Sequence, residues 1–397
     1  MSIVLLSTAD TDLLAARASG ADYRLANPSR VEPGTVPELL AGADLAVVRL
    51  LGGRQTWPEG LDAVLAAGLP TVVLGGEAVP DAALMAHSTV PSGVATQALA
   101  YLAEGGPGNL DQLARFLSDT LLLTGLGFAA PEVTPEYGVH GLLGGHGVPV
   151  SSTDRPTVGI VFYRAHELAG NTGFVDTLAD AVTAAGGDPL PVFCGSLRGL
   201  ARHGGVLDLF ARCDALIVTV LAAGGTIAAD ASGGGDEDAW DVGALAGLDV
   251  PILQALCLTS PRAHWQAGTA GVSPLDAAMQ VAIPEFDGRI ITVPFSFKHV
   301  DDGGLSVYAA DPERAARVAG IAVRQARLRR IPNPAKRLAV VLSSYPTKHA
   351  RIGNAVGLDT PASAIRLFAA LAEAGYDLGD GPLPDDGDAL IHELIAA

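Results

Sequence analysis

The sequence is 397 residues long with a formal net charge of −18, from 25 basic and 43 acidic residues. Apolar residues make up 49% and aromatics 5%, so large cores built mainly from Ala, Leu and Val are expected, and at roughly 150 residues per domain the chain has room for two or three domains. The acidic balance argues against nucleic acid and anionic membranes as partners, and no window approaches the roughly 18 apolar residues of a membrane span.

The opening MSIVLLSTADTDLL turns polar early and has no basic leader, so it reads as a first strand rather than a signal peptide. Cys194, Cys213 and Cys257 stand apart with no CxxC pair, which predicts buried free thiols in a reducing cytoplasm.

In the first segment, strand signals at Ile3–Leu6, Ala43–Leu51 and Pro70–Leu74 alternate with helical patterns near Asp12–Ala18 and Leu61–Ala67. Such alternation implies a parallel sheet covered by helices. Asn109–Leu123 reads as an amphipathic helix with an Asn cap that closes the segment. Residues 129–156, with Pro131, Pro135, Pro149, Pro156 and a GLLGGHG run, read as a connector. His140 and His146 within it read as exposed loop histidines.

A second segment begins with the strand Thr157–Tyr163. A loop carrying Arg164, His166, Glu167 and Asn171 follows, then a helix through Phe174, Leu178 and Val182 that Gly186 ends. Further strands are expected at Leu190–Phe193, Ala215–Leu221, Pro251–Leu256 and Ile290–Phe295, the last trailed by Lys298 and His299. Asp311-Pro312 opens an Ala- and Arg-rich helix whose RLRRI ending complements the helix dipole. The run LAVVL at Leu338–Leu342 predicts a buried strand, and Thr360 as cap with Pro361 opens a helix that Gly375 stops. Between them lie about 16 residues, where about 2–6 are usual. They carry Lys348, His349, Arg351, Asn354 and Asp359.

The expected fold is therefore α/β, with consecutive Rossmann- or flavodoxin-like domains and mostly parallel sheets. Residues 1–130 form a head domain, 131–155 the connector and 156–330 a second α/β domain. Residues 331–397 begin a further unit that breaks off in mid-helix.

No GxGxxG, GxxxxGK[ST], GxSxG or HExxH motif is present, which argues against a dehydrogenase, autonomous NTPase, serine hydrolase or zinc protease. The remaining polar residues sit on loops at strand ends, where open α/β sheets bind ligands. Arg164, Lys348 and Arg351 suit carboxylate or phosphate groups. His166 and His349 suit proton transfer, and Trp265 suits stacking on a flat ring. Each has a plainer alternative. The histidines can hydrogen-bond backbone carbonyls, Arg351 can pair with Asp359, Trp265 can be core, and Glu285 with Asp287 can simply make a turn.

Five stretches, LLGGRQTWPEGLD, GIVFYRAHELAGNT, LPVFCGSLR, PEFDGRI and VVLSSYPTKHARIGNAVGLDTPAS, resemble the amino-terminal third of the CobN family. CobN proteins are large subunits of aerobic, ATP-dependent cobaltochelatase, related to the porphyrin-binding large subunit of magnesium chelatase. The resemblance implies cobalt(II) as a substrate, inserted into hydrogenobyrinic acid a,c-diamide in cytoplasmic cobalamin biosynthesis. ATP and magnesium would be handled by AAA+-type partners of the CobS and CobT types. It implies Arg164, Asn171, Trp265, Lys348, Arg351, Asn354 and Asp359 as substrate contacts, and His166, His349 and Glu285 as catalytic candidates. The family's HGxxEWLPG motif is absent, and no metal ligands are expected in this segment. The chain is thus expected to be a fragment that does not chelate alone. The alternatives are a magnesium chelatase large subunit binding protoporphyrin, or a non-catalytic corrinoid-binding or partner-docking scaffold.

Overall fold

The computed structural model describes residues 2–141, 154–197, 204–219, 243–269, 271–343, 352–355 and 357–396. Residues 1–323 form one compact unit and 324–397 another, the boundary falling inside the helix Pro312–Arg330.

The first unit holds two sheets. Strands β1 (Ile3–Ser7), β2 (Tyr23–Ala26), β3 (Leu45–Leu50) and β4 (Thr71–Gly75) form a parallel sheet in the order β2-β1-β3-β4. Alternation along β1 sends Ile3 and Leu5 into one core and Val4 and Leu6 into another. A sheet covered on both faces requires this of a continuous apolar strand. One face packs on the helices Asp10–Ala18, Ser92–Glu104 and Gly106–Leu122, the other on Val36–Leu40 and Pro58–Ala66. Trp57 is buried there and its indole N–H donates to the Val31 carbonyl at 3.2 Å. Gly60 makes room for that ring: a Cβ at residue 60 would lie 1.9 Å from the Trp57 ring carbon Cε2.

The second sheet comprises β5 (Tyr137–Val139), β6 (Thr157–Tyr163), β7 (Asp188–Cys194), β8 (Ala215–Val218), β9 (Ile252–Leu258), β10 (Ile290–Val300) and β11 (Ser306–Ala310). Its order is β11-β10-β9-β8-β6-β7-β5. Its interior pairs are parallel, and only the edge strands β5 and β11 run antiparallel to their neighbours. All three cysteines are buried and free. Burial pushes the thiols of Cys194 and Cys213 up to about 12.

Several expectations need correction. Asn109 is not a cap. Its helix begins at Gly106, and the buried Asn109 amide donates to the Gly105 and Glu132 carbonyls, both at 2.9 Å. Part of the supposed connector, Tyr137–Val139, is an edge strand. Lys298 and His299 lie within β10 rather than beyond it. The short strands β2 and β11 carry too little apolar pattern to have been predicted.

In the second unit, the helix Thr360–Glu373 is capped by Asp359, whose carboxylate accepts the Ala362 N–H at 3.0 Å, and Gly375 at φ 80° stops it. The cap is thus Asp359, not Thr360. The run Leu338–Leu342 is not a buried strand: it has no regular structure, and Leu338, Val340 and Val341 are 56%, 44% and 88% exposed. A strand needs a neighbour for its backbone N–H and C=O groups, and no described strand pairs with this run. No helix among the described residues is long and apolar enough to cross a membrane.

Candidate functional site

From β6 the chain crosses to β7 on one side of the sheet, and β8 then pairs on the other side of β6. That reversal of strand order opens a crevice at the carboxyl ends of the strands, the usual ligand position in an open α/β sheet. A cavity of about 270 Å³ lies there. Tyr163 from the end of β6, Thr219 just past β8, and Cys257 and Thr259 at the end of β9 line it. Beside them stand His166, from the short helix Arg164–Leu168, and Tyr308 of β11.

His166 is held by a directed chain of hydrogen bonds. The Tyr308 backbone N–H donates to Asn171 Oδ1 at 3.2 Å, which fixes the amide orientation. Asn171 Nδ2 then lies 3.3 Å from His166 Nδ1. Since the amide nitrogen is a donor only, Nδ1 must accept and the imidazole proton sits on Nε2. Phe174 and Tyr308 enclose the ring edge-on, at 5.3 Å and 5.5 Å between centroids. Burial, with the Lys298 ammonium nearby, pulls its pKa down to about 4. His166 is therefore a neutral imidazole whose lone pair is occupied and whose Nε2–H is a donor.

Arg164, two residues earlier, serves a different cavity. Its guanidinium donates to the carbonyls of Pro135 (2.8 Å) and Glu104 (3.1 Å) and to the Glu104 carboxylate (3.3 Å). It lines a second hollow of about 240 Å³ with Asp12, Arg49 and Gly76, at the carboxyl ends of β1, β3 and β4. Arg49, buried in β3, pairs with Asp12 at 3.0 Å and binds the Gly75, Gly76 and Leu102 carbonyls. Both arginines hold loops in place.

The other predicted residues are dispersed. Trp265, in the helix Arg262–Ala267, packs on Phe297 at 5.3 Å, and the Arg314 guanidinium covers its ring at 4.5 Å. Glu285 is exposed on the short helix Ile283–Phe286. Asp359 is a helix cap. Lys348, His349 and Arg351 lie outside the described residues, and of Asn354 only the backbone is described, paired antiparallel with Asp359.

Two arrangements escaped sequence reasoning. His140 is no exposed loop histidine. Its Nδ1 lies 2.6 Å from Glu167 and its Nε2 3.0 Å from Asp176. Burial works against its proton, but the hydrogen bonds and charges of Glu167 and Asp176 outweigh that and raise its pKa. The PEFDGR stretch is also more than a turn: Asp287 and Arg289 form an ion pair at 2.5 Å with both side chains fully buried. An arginine beside a strand start is the one sequence signal that pointed to it.

Residues 99–397 match the model of the CobN/Magnesium Chelatase family. The chain belongs to that family. The aerobic cobaltochelatase subunit CobN of Pseudomonas aeruginosa is 34% identical over 99% of this chain and 33% of its own length. A magnesium-chelatase subunit from Rhodobacter capsulatus is 28% identical over 71% of this chain and 25% of its own length. Among solved structures, the catalytic subunit of cobaltochelatase from Mycobacterium tuberculosis superposes with a TM-score of 0.76 at 54% identity. That match covers 100% of this chain and 33% of that one. The chain thus spans about a third of the length of these CobN relatives. The GIVFYRAHELAGNT stretch that resembles CobN supplies β6, Tyr163, His166 and Asn171, so it builds the mouth of the cavity at the strand-order reversal.

Proposed function

We propose that this chain supplies the amino-terminal third of a cobaltochelatase large subunit. The full subunit would insert cobalt(II), as substrate, into hydrogenobyrinic acid a,c-diamide in the cytoplasm, with ATP and magnesium handled by AAA+-type partners of the CobS and CobT kinds. The observation that carries this reading is the match along the whole chain to CobN and to a cobaltochelatase catalytic subunit, against a lower and shorter match to magnesium-chelatase subunits.

A cavity of about 270 Å³ is smaller than the roughly 300–1,000 Å³ of drug-sized sites, so it does not hold a tetrapyrrole. This favours a part in which the chain contributes a wall or a docking scaffold, while metal insertion falls to the rest of the subunit. Lys348, Arg351 and Asn354 are the proposed contacts to substrate carboxylates, since guanidinium and ammonium groups pair with carboxylates. Arg164 is proposed to act at one remove, by fixing the loop at the end of β6.

Titrating a subunit of CobN length, followed by absorbance, tests the reading. Hydrogenobyrinic acid a,c-diamide is expected to bind and protoporphyrin not, and replacing Lys348 and Arg351 together with Ala weakens binding about tenfold or more. Preference for protoporphyrin would move the chain to the magnesium branch. Unchanged affinity in the double variant would remove these two residues from the site.

A further inference from the structure

Two separate hydrogen-bond chains end at the cavity beside His166, and each begins at a group that can only donate. One runs from the Tyr308 backbone N–H through Asn171 to His166 and leaves Nε2–H as its terminal donor. The other begins at Arg289, whose Nη1 donates to Gln254 Oε1 at 2.7 Å. Guanidinium has no acceptor, so the Gln254 amide is oriented, and its Nε2 donates to Gln280 Oε1 at 3.3 Å. The Gln280 amide is then oriented too, with its NH₂ group as the terminal donor of the chain.

His166 and Gln280 both line the same cavity. Neither His166 Nε2 nor Gln280 Nε2 has an acceptor among the described residues. Gln254 is fully buried and Gln280 nearly so, and reversing either amide would set donor against donor or acceptor against acceptor. The two donors are therefore preset before anything binds.

The rest of the wall selects charge and shape. Tyr163, Phe174 and Tyr308 supply ring surface, and Leu275 and Met279 close one side. The nearby cation, Lys298, is paired with Asp10 at 2.6 Å. The Asp276 carboxylate lines the cavity and, among the described residues, accepts from neutral donors, the backbone N–H and hydroxyl of Thr259 and the hydroxyl of Ser273. An anion would meet that carboxylate with no unpaired cation lining the cavity among the described residues. A cationic amine would present donors to the His166 and Gln280 donors, and would meet an acceptor only in the Asp276 carboxylate, which Thr259 and Ser273 already engage.

We propose that this cavity is a binding site for a flat, uncharged, carbonyl-bearing ring, whose acceptors take the His166 Nε2–H and the Gln280 NH₂ while its faces pack on Tyr163, Phe174 and Tyr308. Such a ligand is ring-sized and distinct from any macrocycle, so the site stands whether or not the chelatase reading does.

Benzamide, benzoate and benzylamine share one shape and differ in charge and hydrogen-bond character, so titration calorimetry of the 397-residue chain with all three tests the proposal. Benzamide is expected to bind about tenfold or more tightly than either ion, one mismatched buried polar group sufficing for that factor. Gln280→Glu, which replaces a donor by an acceptor, and His166→Phe, which keeps the ring and removes the N–H, each lower benzamide affinity about tenfold. Far-UV circular dichroism confirms that each variant is folded. Binding of none of the three probes, equal or tighter binding of benzoate or benzylamine, or unchanged benzamide affinity in both folded variants overturns the proposal.

Discussion

His140 and His166 lie in one unit, His166 on the helix Arg164–Leu168 and His140 paired with Glu167 of that same helix, yet their surroundings drive them in opposite directions. His140 faces two carboxylates. Glu167 is buried, with 4% of its side chain exposed, and Asp176 is 55% exposed. The ring bridges inside and outside, and its protonated form is favoured. His166 faces aromatic rings, an amide and, further off, a lysine ammonium, and it gives its proton up. The difference shows what sets a histidine's charge. Desolvation lowers the pKa of both rings, and only direct carboxylate partners reverse it. His140 ties the end of edge strand β5 to the helices that carry Glu167 and Asp176, and the neutral His166 is left as a donor beside a cavity.

The largest effect expected on this contrast comes from the buried support of the neutral side. Arg289→Ala would remove the buried cation paired with the Asp287 carboxylate and release the Gln254 amide. The loss should be about 3–5 kcal/mol, read from urea unfolding. A cost below about 1 kcal/mol would mean that the pair is hydrated and that the preset amide chain is wrong.

The pH dependence of His166 comes next. Its folded pKa, about 4, lies below the unfolded value of about 6.5. Between these two values the unfolded chain binds a proton that the folded one refuses. The contribution is thus present above pH 6.5 and is lost as the pH falls towards 4, by about 1.4 kcal/mol per unit and about 3 kcal/mol in all. The difference in stability between the parent and His166→Phe, measured from pH 7 to pH 4, isolates it. An NMR titration placing the His166 midpoint near 6.5 would break the contrast.

For His140 the sign reverses. Its folded pKa is raised, so its contribution is fully present below about pH 6.5 and is lost as the pH climbs through the folded value. Glu167→Gln should cost about 1.5–2 kcal/mol at pH 6, the scale of a hydrogen bond to a charged group. It should cost less at pH 9, and the His140 NMR midpoint should move down. Equal costs at both pH values would show that the imidazole is not charged.

The smallest effect sharpens the comparison by contrast. Arg54 and Asp62 pair at 2.7 Å with 44% and 59% of their side chains exposed. Solvent screens such a pair, so Arg54→Ala should change stability by no more than about 0.5 kcal/mol. A larger loss would mean that charge pairing matters as much at this surface as around His140.

The α/β class was legible because buried parallel strands such as Ile3–Ser7, Thr157–Tyr163 and Ile252–Leu258 must be continuous apolar runs, and helices between them must show a 3.6-residue period. The family was legible because long specific stretches carry it. The strand reading of Leu338–Leu342 failed for the converse reason: composition makes a strand possible, and only a paired neighbour makes it form. Arg164 and His166 looked like two members of one site because they are close in the chain. The helix that carries them turns one side chain towards the first sheet and the other into the second.

What the amino-acid sequence determined by itself is what short-range physics decides: the long apolar strands and periodic helices with their apolar faces, a helix stop such as Gly375, and membership of the CobN/magnesium chelatase family. Only the tertiary structure decided which histidine's pKa rises and which falls, where Arg289 sends its hydrogen bonds, and which loop ends share a cavity. Those outcomes depend on desolvation and on partners far apart in sequence, such as Asn171 and Tyr308, 137 residues apart. Both act over a few ångströms of space and leave no periodic trace along the chain.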